Sequence, residues 1–272
     1  MSRSRRRGTT LLAGAALASM LAAGCGDGTG SGSGSTHPTT SSTTTSPAPT
    51  ATSAVCFGAK VWGEKTTTLT APGISLAGAV VGSGPNAAVF LHQSDQSYCG
   101  FWPYVSALPA GSLHGYLFGL CGFGDSTCST EATVDRRAQI ALLVSSARKA
   151  GAKRVTLVGA SMGGALAAGY AKAVGADAVV DLSGPPAWFE APTSAAAAPT
   201  LTMPLLVVLG APDSSQRERL EAMVAAAPTQ HKAFRWVPDG GHGWDQLTTG
   251  TGEVSEVGRE VLEMVQGSGP RP

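Results

Sequence analysis

Residues 154–174, RVTLVGASMGGALAAGYAKAV, constrain this chain more than any other stretch. Val155, Leu157 and Val158 are apolar β-formers in a short run, which reads as a buried strand. The run ends in Gly159-Ala160-Ser161-Met162-Gly163 and passes through Gly164 into an alanine-rich helical sequence. A strand that turns into a helix with no intervening loop must bend sharply, and Ser161 stands at the apex. Glycines two before and two after it leave room for backbone that a Cβ would collide with. A hydroxyl there stands clear of the main chain. The helix directs its positive end, including the N–H of Met162, at whatever the hydroxyl attacks. With 36 Gly in 272 residues, chance alone gives roughly half a match to G-x-S-x-G. The context carries the weight: β-formers lead in, small residues lead out, and the pattern occurs once.

The rest of the chain continues the alternation. Lys60 to Thr70 and Ile74 to Val81 read as strands in an antiparallel start, turned by Pro72-Gly73. Asn86 to His92 and Leu113 to Leu120 read as further strands. Glu131 to Ala150 is expected to be helical, with Val134, Ala138, Ala141, Leu142 and Ala147 at helical spacing and Gly151 closing it. Strands are expected at Asp177 to Leu182, Leu205 to Leu209 and Ala233 to Val237, with helices at Ser215 to Ala227 and Thr248 to Val265. Such alternation over residues 60–266 predicts an α/β fold, a mostly parallel sheet covered on both faces by helices.

Two loop residues complete a pattern with Ser161. Asp213 follows the strand LLVVL after Gly210-Ala211-Pro212, and His242 follows the next strand within Asp239-Gly240-Gly241-His242-Gly243-Trp244. Elbow, acid and base in this order, on loops after successive strands, resemble the α/β-hydrolase family of serine esterases and lipases. The resemblance implies Ser161 as nucleophile, His242 as general base and Asp213 as the acid that orients it. Asp181, Asp239 and Asp245 are the competing acids; Asp181 is the nearest rival because it lies on the strand after the elbow helix. His92-Gln93-Ser94 stands where the family carries His-Gly, implying backbone N–H groups of Gln93 and Met162 as the oxyanion hole, with Ser94 the alternative to Gln93. His92 itself would shape that loop. Gly122-Phe123-Gly124-Asp125-Ser126 is similar to a G-x-G-x-S stretch of the family, with Gly119 where an Asp is usual. His114 and His231 read as ordinary strand or surface residues.

The resemblance implies hydrolysis of a small-molecule carboxylic ester through an acyl-enzyme, with no cofactor and no metal. Thioester or amide hydrolysis and acyl transfer use the same triad, and a non-catalytic envelope lipoprotein of the same fold is the alternative outside catalysis. The segment between Leu182 and Leu205 is too short for a full helical cap, so a minimal cap and a preference for short acyl chains are expected. Trp188 and Phe189 within it would line the mouth of the site or pack under the loop.

The N-terminal fifth has another character. Arg3, Arg5, Arg6 and Arg7 precede an apolar run from Leu11 to Ala23, shorter than the roughly 20 residues a spanning helix needs. Residues 1–24 therefore read as a signal peptide. Leu21-Ala22-Ala23-Gly24-Cys25 resembles a bacterial lipobox, which implies lipidation of Cys25 and a membrane anchor. Residues 25–54, rich in Gly, Ser, Thr and Pro, read as a flexible tether, and 55–268 as the hydrolase domain. Without the leader, 15 Lys+Arg face 18 Asp+Glu, a net charge of −3 that offers no basic face to nucleic acid. Cys56, Cys99, Cys121 and Cys128 are an even set in an extracytoplasmic chain and read as two disulfides. Three pairings are open; the short span from Cys121 to Cys128 is locally plausible, which would leave Cys56 with Cys99.

Overall fold

The apolar runs become the strands of one nine-stranded sheet in the computed structural model, which describes Cys56, residues 64–95 and residues 97–271. The expected signal peptide, Cys25 and the tether lie outside the described residues. In chain order the strands are β1 (Lys65–Ala71), β2 (Ile74–Val81), β3 (Asn86–Leu91), β4 (His114–Phe118), β5 (Thr127–Cys128), β6 (Arg154–Ala160), β7 (Ala178–Leu182), β8 (Leu205–Gly210) and β9 (Lys232–Val237). The helices are α1 (Trp102–Ala107), α2 (Thr130–Val134), α3 (Arg136–Lys149), α4 (Met162–Val174), α5 (Ser194–Ala197), α6 (Arg217–Ala226) and α7 (Glu256–Gln266). The sheet order is β1-β2-β4-β3-β6-β7-β8-β9, with the short β5 beside β2. β1 and β2 are antiparallel, as is β2 with β4; from β4 to β9 every pairing along that path is parallel.

Alternate residues of each inner strand feed two separate cores, because successive side chains leave a strand on opposite faces. Val89, Leu91, Val155, Leu157, Val179, Val207 and Leu209 pack on one face against Ile140, Leu143 and Val144 of α3, Leu166 of α4 and Leu220 of α6. Ala88, Phe90, Val158, Ala160, Val180, Leu182 and Val208 pack on the other against Trp102, Tyr104 and Val105 of α1 and Val261 and Met264 of α7. β4, β7 and β8 are buried along their whole length. That is why they read as continuous apolar runs rather than alternating ones.

Three expectations need correction. The helix expected over 131–150 is two: Asp135 leaves helical geometry at φ −84°, ψ 74°, and its Oδ1 accepts from the N–H of Ala138, capping α3. The helix expected from Thr248 begins only at Glu256, because residues 248–254 form a turn closed by a bridge between Thr248 and Val254, with Gly252 at φ 82°. Ser255 caps the shortened helix by accepting from the N–H of Gly258. The first strand starts at Lys65; Lys60 lies outside the described residues.

Of the three pairings, the structure has Cys56–Cys99 and Cys121–Cys128, spanning 43 and 7 residues. Loop closure in the unfolded chain makes the first worth about 4 kcal/mol and the second about 2 kcal/mol. The second staples the segment between β4 and α2, whose Phe123 packs against His92 at the end of β3. Two disulfides fit an oxidising, extracytoplasmic compartment. Among the described residues, no helix is long and apolar enough to cross a membrane, and no group of three or more His, Cys, Asp and Glu could hold a metal ion.

Candidate active site

Ser161 sits between the last residue of β6 and the first of α4, at φ 51° and ψ −119°. Left-handed backbone at a non-glycine residue costs on the order of 1–3 kcal/mol and persists only where its surroundings over-determine it. Here they do. The Ser161 N–H donates to the carbonyl of Leu182, and the Ser161 carbonyl accepts from the N–H groups of Gly164 and Ala165. The flanking glycines are required by contact. A Cβ on Gly159 would stand 2.0 Å from the carbonyl oxygen of Gly163, and one on Gly163 would stand 1.9 Å from that of Leu91. The second approach seats the elbow against the end of β3, where the loop of His92 and Gln93 starts.

Asp213 lies in a 3-10 turn (Ala211–Gln216) that follows β8, and its side chain is largely buried. His242 precedes a second 3-10 turn (Gly243–Gln246) after β9. β8 and β9 are parallel neighbours, so both loops leave the same edge of the sheet. His242 Nδ1 lies 2.8 Å from Asp213 Oδ2, while 37% of the imidazole side chain stays open to solvent. A carboxylate there accepts the Nδ1–H and leaves Nε2 as the free acceptor. Gly243 is wedged into the site: a Cβ there would stand 1.9 Å from Gln93 Oε1 and 3.2 Å from the Cβ of Ala160. The residue after His242 is thus hemmed in by the residue before Ser161 and the side chain of Gln93 at once. Asp239 and Asp245 make no hydrogen bond to the His242 ring; the Asp245 N–H donates to the His242 carbonyl instead.

His92 is fully buried and holds the start of the loop after β3, the candidate oxyanion loop. The Leu120 N–H donates to its Nε2 at 2.9 Å, so the ring carries its proton on Nδ1 and donates to the Gln93 carbonyl at 2.7 Å. That bond fixes the Gln93–Ser94 peptide, and the Ser94 N–H, trans to the carbonyl, points away from the His92 ring. Phe123 packs edge-on against His92 at 4.6 Å. This stacking is how the disulfide-closed loop supports the site.

The dienelactone hydrolase family model matches residues 122–264, just over half of the chain and inclusive of Ser161, Asp213 and His242. The chain belongs to the dienelactone hydrolase family. No curated protein sequence matches it. Among solved structures it is similar to the carboxylesterase CesB of Bacillus subtilis, at 12% identity and TM-score 0.60, covering 79% of this chain and 95% of that one. It is also similar to the esterase Pf2001 of Pyrococcus furiosus, at 15% identity and TM-score 0.57 over 75% and 91%. A third is the naproxen esterase of Bacillus subtilis, at 12% and 0.53 over 66% and 85%. At these identities the likeness shows the α/β-hydrolase fold.

In this dienelactone hydrolase family member, Asp181 faces away from His242. It shares the parity of Val179 along β7 and so lies on the α4 face of the sheet. Its Oδ1 accepts from the Gly184 N–H at 2.7 Å and would collide with a Cβ on Gly164. The carboxyl borders a void of about 10 Å³ lined mainly by Ala165, Ala168, Pro185, Pro192 and Met223. Burial raises its pKa from 3.8 to about 7, with the Gly184 hydrogen bond pulling the other way. A carboxyl whose folded pKa exceeds its unfolded one favours folding most below about pH 4 and loses that contribution as pH rises to about 7. The interval corresponds to about 4 kcal/mol. Asp181→Asn, which keeps the acceptor and removes the charge, is expected to gain stability over the native chain as pH rises from 4 to 8, by up to about 4 kcal/mol. Denaturant unfolding at pH 4, 6 and 8 checks this; a difference independent of pH contradicts it.

Of the two roles expected of Trp188 and Phe189, the structure shows packing under the loop for Trp188, which lies against the core. Trp188 is half-buried and donates through Nε1 to Glu190, whose other oxygen pairs with the buried Arg136 at 3.0 Å. Phe189 is 85% exposed. A cavity of about 630 Å³ lies behind the histidine loop, between β9 and α7, and none of Ser161, Asp213 or His242 lines it. The strained elbow at Ser161 and the Asp213–His242 hydrogen bond lie outside that cavity and remain the candidate site.

Proposed function

We propose that this family member hydrolyses carboxylic esters through an acyl-enzyme on Ser161. The observation that carries this reading is the 2.8 Å approach of His242 Nδ1 to Asp213 Oδ2, on a loop wedged against the nucleophile strand. In the first half-reaction His242 Nε2 takes the Ser161 proton as Oγ adds to the ester carbonyl. The oxyanion that forms accepts from the Met162 N–H and from the Gln93 loop. The tetrahedral adduct collapses as the imidazolium returns its proton to the departing alkoxide, which leaves as the alcohol. Water then adds to the acyl-enzyme with His242 again as base, and the acid leaves with Ser161 restored. Asp213 stays ionised throughout, holding the tautomer and stabilising the imidazolium.

The reading is tested on p-nitrophenyl esters of increasing chain length. Acetate and butyrate are expected to turn over faster than long-chain esters, because only about twenty residues separate β7 from β8 and the imidazole stands open to solvent. Faster turnover of a long-chain ester, or none of any ester, contradicts it. We also propose that Cys25 carries the membrane anchor, since an apolar run of thirteen residues holds nothing once cleaved. Cys25→Ala is expected to move the protein from the membrane to the soluble fraction; unchanged partition contradicts the anchor.

A further inference from the structure

Two buried polar side chains in the site have no part in the chemistry above. Gln246 is 4% exposed and Ser183 is fully buried. Gln246 Nε2 donates to Ser183 Oγ at 3.0 Å and to the carbonyl of Gly243 at 3.2 Å. Ser183 follows the last residue of β7, and Gly243 follows His242 in the chain. One carboxamide therefore ties the histidine loop to the neighbouring strand end across 63 residues of sequence.

The bond is set up at cost on both sides. Ser183 holds φ 57°, the second non-glycine residue with positive φ besides Ser161 among the described residues. Its N–H donates to the Val208 carbonyl, so the strained residue is locked into the sheet beside β8. Gln246 Oε1 has no hydrogen-bond partner and is shut off from solvent. Burying an unpaired carboxamide oxygen is unfavourable, so packing alone favours an apolar side chain at this position. The Ser255 hydroxyl donates to the Gln246 carbonyl at 2.6 Å, fixing its backbone from below. On the far side of the loop Trp244 closes on Gly100, where a Cβ would stand 2.2 Å from the indole, and stacks edge-on against Phe101 at 5.3 Å. Gly243 is left clamped between Gln246, Gln93 and Ala160.

From this geometry we infer that Gln246 is a positioning residue for His242, with Ser183 as its anchor. The Asp213 bond fixes which way the imidazole turns, through Nδ1. It leaves free how far the loop stands from Ser161, and the Gln246 bridge sets that distance by hanging the loop on β7, the strand next to the nucleophile strand. The Ser161 N–H donates to the carbonyl of Leu182, the residue before Ser183. Nucleophile and base are thus referred to the same two residues, Leu182 and Ser183. The inference rests on the reading of Ser161 and His242 proposed above.

The test uses Gln246→Leu, which keeps the volume and removes both donated bonds, and Ser183→Ala, which removes only the anchor. Thermal unfolding checks that each is folded. For p-nitrophenyl acetate, kcat is expected to fall about 10²-fold in Gln246→Leu with KM within about twofold, since displacement of about 1 Å has that effect. Ser183→Ala is expected to fall less, and the double variant no further than Gln246→Leu alone. A second readout needs no turnover: the Nδ1–H proton of His242 in the NMR spectrum, held by Asp213, is expected to broaden or vanish by exchange in Gln246→Leu. A folded Gln246→Leu with native kcat and an unchanged His242 resonance overturns the inference. If Gln246→Leu does not fold, Ser183→Ala decides by the same two readouts. If the native chain cleaves no ester, the functional reading fails while the resonance still decides the positioning role.

Discussion

Ser161→Ala is expected to remove essentially all ester turnover, a fall in kcat of about 10⁶-fold, while the protein stays folded. The size follows from the mechanism. Without Oγ no acyl-enzyme forms, and His242 and Asp213 act on nothing; what remains is oxyanion stabilisation and binding. Folding is spared because the side chain is partly exposed and its backbone bonds to Leu182, Gly164 and Ala165 use no side-chain atom. Alanine tolerates the positive φ no worse than serine does. The check is kcat on p-nitrophenyl acetate beside a thermal unfolding curve, and activity within tenfold of native contradicts the nucleophile assignment.

Asp213→Asn is expected to lower kcat by about 10⁴-fold at neutral pH, and Asp181→Asn to leave it nearly native. Asparagine can present its N–H₂ to His242 Nδ1, which then accepts. The ring is driven to the tautomer that carries its proton on Nε2, where it cannot take one from Ser161. The fold is expected to persist, since the exchange is isosteric. Asp181 makes its only described hydrogen bond to Gly184 on the α4 face, so its neutral amide analogue is not felt at the imidazole. A crippled Asp181→Asn with a nearly native Asp213→Asn would place the acid on β7 instead of after β8.

What the sequence discloses here is what its physics keeps local. The elbow is legible because strand, apex and helix are contiguous, and because the close approach of Gly163 to Leu91 forbids any side chain at that position. β7 and β8 are legible because burial on both faces demands unbroken apolar runs. The break at Asp135 is not, since the same residue suits an exposed helix position, and only its bond to the Ala138 N–H reveals the cap. The 248–254 turn, TTGTGEV, carries two glycines and no apolar residue before Val254, turn signals that the helix expected from Thr248 overran. Asp213 as the partner of His242 was legible from strand order, whereas the role of Asp181 was not. A lone acid in the run AVVDL signals something unusual, but its distance from the histidine depends on strand parity and on which face α4 covers. Gln246 and Ser183 left no signal at all. They are two common polar residues 63 apart, and only the fold brings them within 3.0 Å.

The central claim is that Ser161 Oγ is the atom that takes the acyl group. Incubation of the native protein with a fluorophosphonate, followed by intact-mass analysis and peptide mapping, tests it directly. The account predicts one phosphonyl adduct per chain, located on Ser161, formed in parallel with loss of ester turnover and absent from Ser161→Ala. An adduct on a different residue, or ester turnover that persists in protein fully labelled at Ser161, would contradict it.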